Sequence, residues 1–324
     1  MKKNYFKIIT INLIILIGII LIGDYLYFKC IEFNYREDCK KQNLPYDYSV
    51  EYKTYEIIDH KKQNTTNIYE TFLEKNLYLE PIITNENRNN APIILFGCSY
   101  TWLHNDTGLQ GLLAKYTNRP VFNFSFWGWG GQHTYFLTNN PLLYERIEEY
   151  TKVKPEFAIY TYIRDHKNRI TNVMDYFKDI EPYLNYKIEN GKLVQQKHNF
   201  LNKLFFRLFT YRYLLKKHEN ENNKDEYRYN ILYLLLIESF DKLKKEYPNI
   251  RPIMLLYEQD CTVDEYEEKM IQKLKQKGIT IISTKNLTDT DLYRKDLTDP
   301  NGYHPNPKAW EIIVPKLVKK MKKI

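Results

Sequence analysis

The sequence is short of small residues and of cysteine. It contains 11 glycines and five serines among 324 residues. Its four cysteines, Cys30, Cys39, Cys98 and Cys261, show no C-x-x-C spacing and no histidine cluster, which excludes the usual structural zinc patterns. We therefore expect neither a metal nor a cofactor. Cys30 and Cys39 could form a disulfide outside the cytoplasm or remain thiols, and the sequence leaves both alternatives open.

A basic stripe interleaved with aromatic residues is also missing. The formal net charge is +8, but lysines and acidic residues are interspersed, and the one dense basic run is the C-terminal "KLVKKMKKI". Nucleic-acid-binding folds usually combine a basic face with stacking aromatic residues. We therefore expect an ordinary solvated surface and no nucleic-acid partner.

One long hydrophobic run is present, at the N-terminus. Three lysines in "MKKNYFK" precede an uncharged run over residues 8–23, and "YLYF" at 25–28 extends it. Sixteen helical residues rise about 24 Å, close to the roughly 30 Å of a hydrocarbon core. Because no small-x-small cleavage site follows, an uncleaved signal anchor is favoured over a cleaved signal peptide. We expect residues 1–28 to be a cytoplasmic N-terminus and single transmembrane helix, with the rest extracytoplasmic, in the periplasm or at the cell surface.

The remaining chain divides into a polar stretch and a patterned domain. Residues 29–91 are rich in Tyr and Asn with weak periodicity, which predicts a stalk or peripheral cap. Apolar runs of strand length then alternate with amphipathic segments, predicting strands at 93–96, 121–126, 157–163, 252–257 and 279–283, and helices at 109–116, 142–150, 263–277 and 307–319. This alternation predicts a three-layer α/β/α domain over residues 92–324, with a five-stranded parallel, flavodoxin-like sheet.

A helical insertion is predicted at about residues 167–250. It contains "FLNKLFFRLFTYRYLLKK" and "YRYNILYLLLIESFDKLKK". The first stretch is basic, aromatic and amphipathic, so it could lie on a membrane surface. Its helical spacing favours packing against the domain.

A candidate nucleophile lies where the first domain strand ends. In "ILFGCSYTW", Ser99 follows the apolar run directly, and reactive groups of parallel sheets sit beyond the carboxyl ends of strands. Serine catalysis also needs a base and oxyanion donors. His304, in "DPNGYHPNPKAW", lies just ahead of a predicted helix that would pack beside this strand and bring the imidazole towards Ser99. We therefore interpret Ser99 as a nucleophile and not as a turn serine, with neighbouring Cys98 pointing elsewhere.

Three ordered blocks resemble the SGNH/GDSL hydrolase family over roughly residues 92–322. They are Gly97-Cys-Ser99-Tyr-Thr, Asn123-Phe-Ser-Phe-Trp-Gly128 and Asp299-Pro-Asn-Gly-Tyr-His304-Pro-Asn. The resemblance implies that Ser99 is the nucleophile and His304 its general base. It also implies that the N–H groups of Ser99 and Gly128 bind the oxyanion, with Asn123 beside them in the substrate-binding block.

The family's third block, Gly-x-Asn-Asp, is missing, and "YTYIRDHKNR" stands in its place at 160–169. The Asn of that block normally donates a hydrogen bond to the oxyanion. Arg164 or His166 could replace this donor. Alternatively, Arg164, Asp165, His166 and Arg169 form a structural charged cluster. The sequence leaves both readings open.

The carboxylate that orients the histidine is also displaced. The family's Asp lies three residues before its His, where this chain has Asn301. Asp299 lies five residues before His304 and Asp296 eight. The group need only accept a hydrogen bond from the imidazole. We expect Asp299 to do so if the loop bulges by two residues, with Asp296 and Asn301 as alternatives.

The resemblance implies a serine esterase that removes or transfers an acyl group, most simply acetyl, and the N-terminal hydrophobic run adds a membrane anchor. Location and family together favour an extracytoplasmic polysaccharide as substrate. A lipid ester is the competing substrate. The alternative from another class is a degenerate SGNH-like domain that binds glycan or assembles a surface complex. Trp127 and Trp129 flank Gly128 and could stack on sugar rings, although burial is the commoner reason for tryptophan.

Overall fold

The computed structural model describes residues 79–102, 106–126, 129–170, 186–195, 225–257, 264–299, 302 and 304–324, with isolated positions 18, 22 and 23. Most of the predicted signal anchor, most of the predicted stalk and the basic stretch at 200–217 lie outside these residues. Within the described part of the chain, no helix is both long and apolar enough to cross a membrane.

The described residues form eight strands and nine helices. The strands are β1 (Leu79–Ile82), β2 (Ile93–Phe96), β3 (Val121–Asn123), β4 (Phe157–Tyr162), β5 (Tyr186–Glu189), β6 (Lys192–Gln195), β7 (Arg251–Leu256) and β8 (Thr280–Ser283). The helices are α1 (Ser99–Trp102), α2 (Leu109–Thr117), α3 (Gly131–Thr138), α4 (Pro141–Tyr150), α5 (His166–Arg169), α6 (Asp225–Glu246), α7 (Glu265–Gln276), α8 (Thr284–Leu287) and α9 (Pro307–Met321).

The central sheet is mostly parallel, with strand order β1-β3-β2-β4-β7-β8. Five of these strands, β3, β2, β4, β7 and β8, are parallel, as predicted. Their order is that of flavodoxin-like sheets. Ile93 of β2 lies opposite both Val121 and Phe157, so the three strands begin level. The edge strand β1 is antiparallel to β3. The sequence predicts that the domain begins at residue 92, so it assigns β1 to the stalk, whereas the structure shows β1 as part of the central sheet.

The strands are buried on both faces because helices cover each side of the sheet. Along β2, Ile93 and Leu95 face the layer of α2 and α9, whereas Ile94 and Phe96 face the layer of α3, α4, α6 and α7. All four residues are fully buried. Side chains alternate between faces along a strand, so one uninterrupted apolar run supplies both layers of the core.

Helix α6 confirms the second helical stretch predicted within the insertion and packs in the core of the domain. Its buried residues, among them Leu232, Leu236 and Phe240, belong to the same hydrophobic core as Phe96 of β2. It is therefore the crossover helix between β4 and β7, a main element of the domain. The hairpin β5–β6 lies within the remaining insertion and was not predicted. Its turn carries Asn190 and Gly191 with φ of 51° and 74°, the positive values that tight hairpin turns need.

Helix α9 brings the loop that precedes it to the carboxyl ends of the strands. Pro307 occupies the first turn, and the Asn306 side chain caps the helix by accepting a hydrogen bond from the Ala309 N–H at 3.2 Å. Trp310 and Val314 are fully buried in the core that also contains Ile93 and Leu95. The predicted packing of this helix beside the first parallel strand is therefore observed.

Candidate active site

Ser99 is held in a tight turn at the end of β2. Gly97 has φ of +148°, and a Cβ atom there would lie 2.5 Å from Thr101 Oγ1 and 3.1 Å from the Thr161 carbonyl oxygen. Only glycine fits this close approach of the chain to β4. Ser99 then opens α1, so its backbone N–H lies in a first helical turn, where N–H groups lack helical acceptors.

The Ser99 hydroxyl and the His304 imidazole meet across 205 positions of sequence. Ser99 Oγ lies 2.8 Å from His304 Nε2, within hydrogen-bond range. The Tyr100 ring packs against the imidazole, with ring centroids 5.1 Å apart. Cys98 is fully buried as a free thiol, so the hydroxyl and not the neighbouring thiol contacts the imidazole.

Asp299 lies on the other side of the imidazole. Its Oδ2 is 2.9 Å from His304 Nδ1. The Asp299 N–H donates to the His304 carbonyl at 2.8 Å, and Thr298 and Pro305 form an antiparallel bridge just outside this pair. Gly302 turns the loop with φ of 75°. The loop therefore closes with its two ends facing each other, which is how an acid five residues before the histidine reaches it.

The alternative acids are placed elsewhere or lie outside the described residues. Asp296 is exposed and accepts two hydrogen bonds from Arg294, at 3.0 and 2.7 Å, which lower the pKa of its carboxyl. Its backbone carbonyl and that of Thr298 accept hydrogen bonds from Asn306 Nδ2, so the loop is anchored to the start of α9. Asn301 lies outside the described residues.

Asn123 is a structural residue, which corrects its expected substrate-binding role. The side chain is fully buried. Its Nδ2 donates to the Thr101 carbonyl at 3.0 Å, and its Oδ1 accepts from the Ser125 N–H at 3.2 Å and from the Ser125 hydroxyl. The amide thus ties the helical turn that carries the nucleophile candidate to the end of β3.

Arg164 is engaged by an acidic residue of α7. Its Nε and Nη2 donate to Glu267 Oε2 at 3.0 and 2.8 Å, and Glu267 is only 5 % exposed. The other Glu267 oxygen accepts a hydrogen bond from the Tyr162 hydroxyl at 2.8 Å. The arginine therefore fixes the segment after β4 to α7, and its bonds do not favour the expected role as an oxyanion donor.

His166 is likewise built into the core. It is fully buried, and its Nδ1 lies 2.6 Å from the Tyr160 hydroxyl oxygen. Burial, reinforced by Arg169 and His133, holds the pKa of His166 well below its usual value, so the imidazole is neutral. Together with the Arg164–Glu267 pair, this favours the structural charged cluster over a replacement donor for the missing Asn.

Arg169 has a role beyond the expected charged cluster, because it links the segment after β4 to the loop that contains Trp129. Its Nε donates to Asp165 Oδ2 and its Nη1 to the Trp129 carbonyl, both at 2.8 Å. The Trp129 ring stacks on His133 at 5.0 Å, and His133 Nδ1 accepts from the Gly130 N–H at 3.0 Å. Burial, with Arg169 nearby, lowers the pKa of His133 to about 3. The i,i+4 spacing of Asp165 and Arg169 was the available sequence signal.

The expected second oxyanion donor, Gly128, and its neighbour Trp127 lie outside the described residues, so the role of Gly128 stays a prediction. Trp129 is 4 % exposed and packed against His133, which favours burial over sugar stacking for this tryptophan. Within the described segments, no three His, Cys, Asp or Glu side chains are grouped as ligands for a metal ion.

The comparisons with known proteins identify similar folds. No protein-family model matches the sequence, and no curated protein matches it. An acetyl xylan esterase from Butyrivibrio proteoclasticus is similar at a TM-score of 0.40 and 14 % identity, over 72 % of this chain and 64 % of that one. A lipolytic G-D-S-L family protein from Veillonella parvula is similar at 0.41 and 12 %, over 72 % and 100 %.

A family two carbohydrate esterase from Clostridium thermocellum is similar at a TM-score of 0.38 and 9 % identity, over 74 % of this chain and 66 % of that one. The chain thus spans less than two thirds of the acetyl xylan esterase.

Proposed function

We propose that this chain is a serine esterase of the SGNH/GDSL type, with Ser99 as nucleophile, His304 as general base and Asp299 as the carboxylate that orients it. The supporting observation is the continuous chain of two hydrogen bonds, 2.8 Å from Ser99 Oγ to His304 Nε2 and 2.9 Å from Nδ1 to Asp299 Oδ2. Hydroxyl, imidazole and carboxylate in this order form the arrangement that activates serine on several unrelated folds.

The first half-reaction transfers the acyl group to the enzyme. Asp299 accepts a hydrogen bond from the Nδ1–H of His304, which fixes the tautomer whose Nε2 can accept a proton. Ser99 Oγ forms a bond to the ester carbonyl carbon while its proton moves to Nε2, and Asp299 stabilises the resulting imidazolium. The tetrahedral intermediate then expels the alcohol, which takes the proton from Nε2, and an acyl-serine remains.

The oxyanion needs donors placed before the reaction begins. We assign this role to the N–H of Ser99 in the first turn of α1, together with the expected N–H of Gly128. We propose that neither Arg164 nor His166 replaces the Asn of the missing third block, because Arg164 donates to Glu267 and His166 shares a hydrogen bond with Tyr160. Loss of one such donor typically costs about two to three orders of magnitude in rate, so we expect a slow esterase.

The second half-reaction decides between hydrolysis and transfer. Water, or a sugar hydroxyl, gives its proton to His304 Nε2 and attacks the acyl carbon, and Ser99 leaves with the returned proton. The same three side chains serve both acceptors. Measuring free acetate against acetylated acceptor in a reaction with an added oligosaccharide distinguishes them.

For the substrate we propose an acetylated polysaccharide outside the cytoplasm. Ser99 is 4 % exposed and the His304 side chain 19 %, so access is narrow and suits a small acyl group better than a long chain. The N-terminal hydrophobic run favours delivery of the domain across a membrane with the chain remaining attached. A lipid ester is the competing substrate, and comparing acetyl with long-chain p-nitrophenyl esters separates the two.

The decisive experiment is active-site labelling of the full chain. A fluorophosphonate probe should label the parent protein on Ser99, and Ser99→Ala should abolish both labelling and hydrolysis of p-nitrophenyl acetate. Cys98→Ala is the matched control, because it removes the neighbouring nucleophile and should retain labelling. Equal hydrolysis by the parent and Ser99→Ala, with no labelling of either, would contradict the esterase and leave the glycan-binding alternative.

A further inference from the structure

The feature that carries a further inference is the end of the domain opposite the candidate active site. Helices α2, α4, α6 and α7 each lead into the amino end of the next parallel strand. Helix α9 begins beside His304 and runs to the same end. The carboxyl ends of all five helices therefore lie together, at the far end of the sheet from Ser99.

This far end carries uncompensated positive charge. Six exposed lysines at or just beyond the ends of α2, α6, α7 and α9 define what we call the basic end: Lys115, Lys245, Lys277, Lys319, Lys320 and Lys323. None of the six forms an ion pair with another described residue. By contrast, four glutamates at this end are already paired: Glu148 with Lys154, Glu149 with Arg146, Glu156 with Arg119 and Glu246 with Lys242.

Lysine at one helix end is commonplace, because it complements the helix dipole. Four such ends side by side form a surface. Lys319, Lys320 and Lys323 come from the basic run at the C-terminus, and the fold brings Lys115, Lys245 and Lys277 from distant parts of the chain to the same end. Exposed hydrophobic residues give an independent observation. Among described residues from 79 onward, three large hydrophobic side chains are exposed, namely Tyr116 at 42 %, Tyr150 at 38 % and Ile324 at 42 %. All three lie at the basic end.

We infer that the basic end docks on an anionic lipid surface. Lysines whose alkyl stems lie along an apolar contact, together with tyrosines and an aliphatic residue, are the composition of protein surfaces that rest in a bilayer interface. Anionic headgroups supply the complementary charge within a Debye length of about 10 Å. A nucleic acid is less suited, since two isolated tyrosines provide no stacking groove.

The docked orientation has a consequence for the candidate active site. The six residues of β4 span about 20 Å, so the carboxyl ends of the strands, and Ser99 with them, would face away from the lipid. This inference stands on charge and exposure, and it does not depend on the esterase proposal. If both hold, a substrate in the surrounding polymer is reached more readily than an ester within the bilayer.

The test uses the full chain in nanodiscs with paired probes on one helix. Cys30, Cys39 and Cys261 are replaced by serine, and a bimane label is attached to Gln276→Cys at the basic end or to Glu268→Cys near the other end of α7. These positions are about 12 Å apart along the helix. With headgroup-nitroxide lipid and phosphatidylglycerol, quenching at position 276 should exceed that at 268 by about threefold or more. Pure phosphatidylcholine or high salt should remove the difference.

Charge variants identify the surface responsible. Lys319→Glu/Lys320→Glu/Lys323→Glu should abolish the phosphatidylglycerol-dependent quenching. The matched control, Lys285→Glu/Lys295→Glu/Lys308→Glu, makes the same change in net charge at the other end and should retain it. Circular dichroism of both variants should equal that of the parent, because all six side chains are exposed.

Three results would overturn the inference. These are equal quenching at positions 268 and 276, quenching that is independent of phosphatidylglycerol and salt, and an identical response of the two charge variants. Binding of soluble poly(glycerol phosphate) without any response to vesicles would also overturn it, and would assign the surface to an anionic polymer.

Discussion

Two polar clusters follow neighbouring strands at the same edge of the sheet, yet their hydrogen bonds end differently. After β2, a chain of hydrogen bonds runs from Asp299 through His304 and ends on the Ser99 hydroxyl, a group that can react. After β4, Arg164 and Arg169 bond to carboxylates and to a carbonyl, which close the network. A polar segment at the carboxyl end of a strand is therefore not reactive by position alone. Whether it can react depends on the last group of its hydrogen-bond chain, here a serine hydroxyl in one cluster and carboxylates and a carbonyl in the other.

The largest expected effect tests the first cluster. Asp299→Asn should lower kcat by about 10³- to 10⁴-fold with little change in KM, because the amide no longer stabilises the reactive tautomer or the imidazolium. Hydrolysis of p-nitrophenyl acetate measures it. Asp296→Asn is the control, since that exposed carboxylate bonds to Arg294, and should stay within about twofold. Equal losses in the two variants would remove Asp299 from its assigned role.

A large effect on stability is expected in the second cluster. Arg169→Met should reduce the free energy of unfolding by about 1–3 kcal/mol, mainly because it leaves the Trp129 carbonyl without its donor. The lost ion pair adds little, since the Asp165 side chain is 42 % exposed and can be solvated. Urea denaturation measures the change. Breaking the more exposed Arg146–Glu149 pair with Arg146→Met should cost at most about 1 kcal/mol. Similar losses for both arginines would mean that the Arg169 link is not structural.

The buried histidines predict a pH dependence of stability. The pKa of His133 is lowered to about 3, and that of His166 also lies well below its usual value, whereas both titrate near 6.5 in the unfolded chain. The unfolded state therefore binds more protons as pH falls below 6.5, and stability is lost progressively from there towards pH 3. Between pH 6.5 and 5.0 the loss should be about 1.5 kcal/mol for His133, and His166 should add a loss in the same direction.

Denaturation curves at several pH values check this slope. The variants His133→Asn and His166→Asn should each show a shallower pH dependence than the parent, although their stability at neutral pH is lower. An unchanged slope in the double variant would assign the pH dependence to other groups.

The smallest effect is expected at Arg164. Because Nε and Nη2 of this side chain both donate to Glu267, Arg164→Gln should change kcat less than about fivefold. An oxyanion donor in the same place would instead cost about two to three orders of magnitude. Comparing kcat values for p-nitrophenyl acetate therefore separates the two readings that the sequence left open.

The long-range order of the sheet could be predicted from the sequence, whereas short elements could not. The five parallel strands are near-continuous apolar runs because both faces are covered, and such runs are visible without a structure. Strand β1 contains only Leu79–Ile82 and depends on pairing with β3, some 40 residues later. Helix α3 begins with Gly131 directly after Gly130 and buries polar side chains such as Gln132, so its pattern is weak. The β5–β6 hairpin does have a sequence signal, because Asn190-Gly191 is a pair typical of two-residue hairpin turns.

The site shows the same division. Ser99, His304 and Asp299 could be predicted as candidates because they lie in ordered sequence blocks, one after the first parallel strand and one before the last helix. Asp299 reaches the imidazole because the loop is closed by the Thr298–Pro305 bridge. This bridge is a backbone pairing, and no particular residue type signals it in the sequence. The contacts of Arg169 and Asn123 could not be predicted, since hydrogen bonds to the Trp129 and Thr101 carbonyls produce no periodic pattern in the sequence.

The placement of acid and imidazole on one short loop, 205 positions after the hydroxyl, also has a consequence during synthesis. The Ser99 hydroxyl belongs to the first half of the domain, whereas the proposed acid and base belong to its last loop, directly ahead of α9. If the proposed roles hold, a nascent or truncated chain that lacks this loop carries the nucleophile without the two groups that activate it.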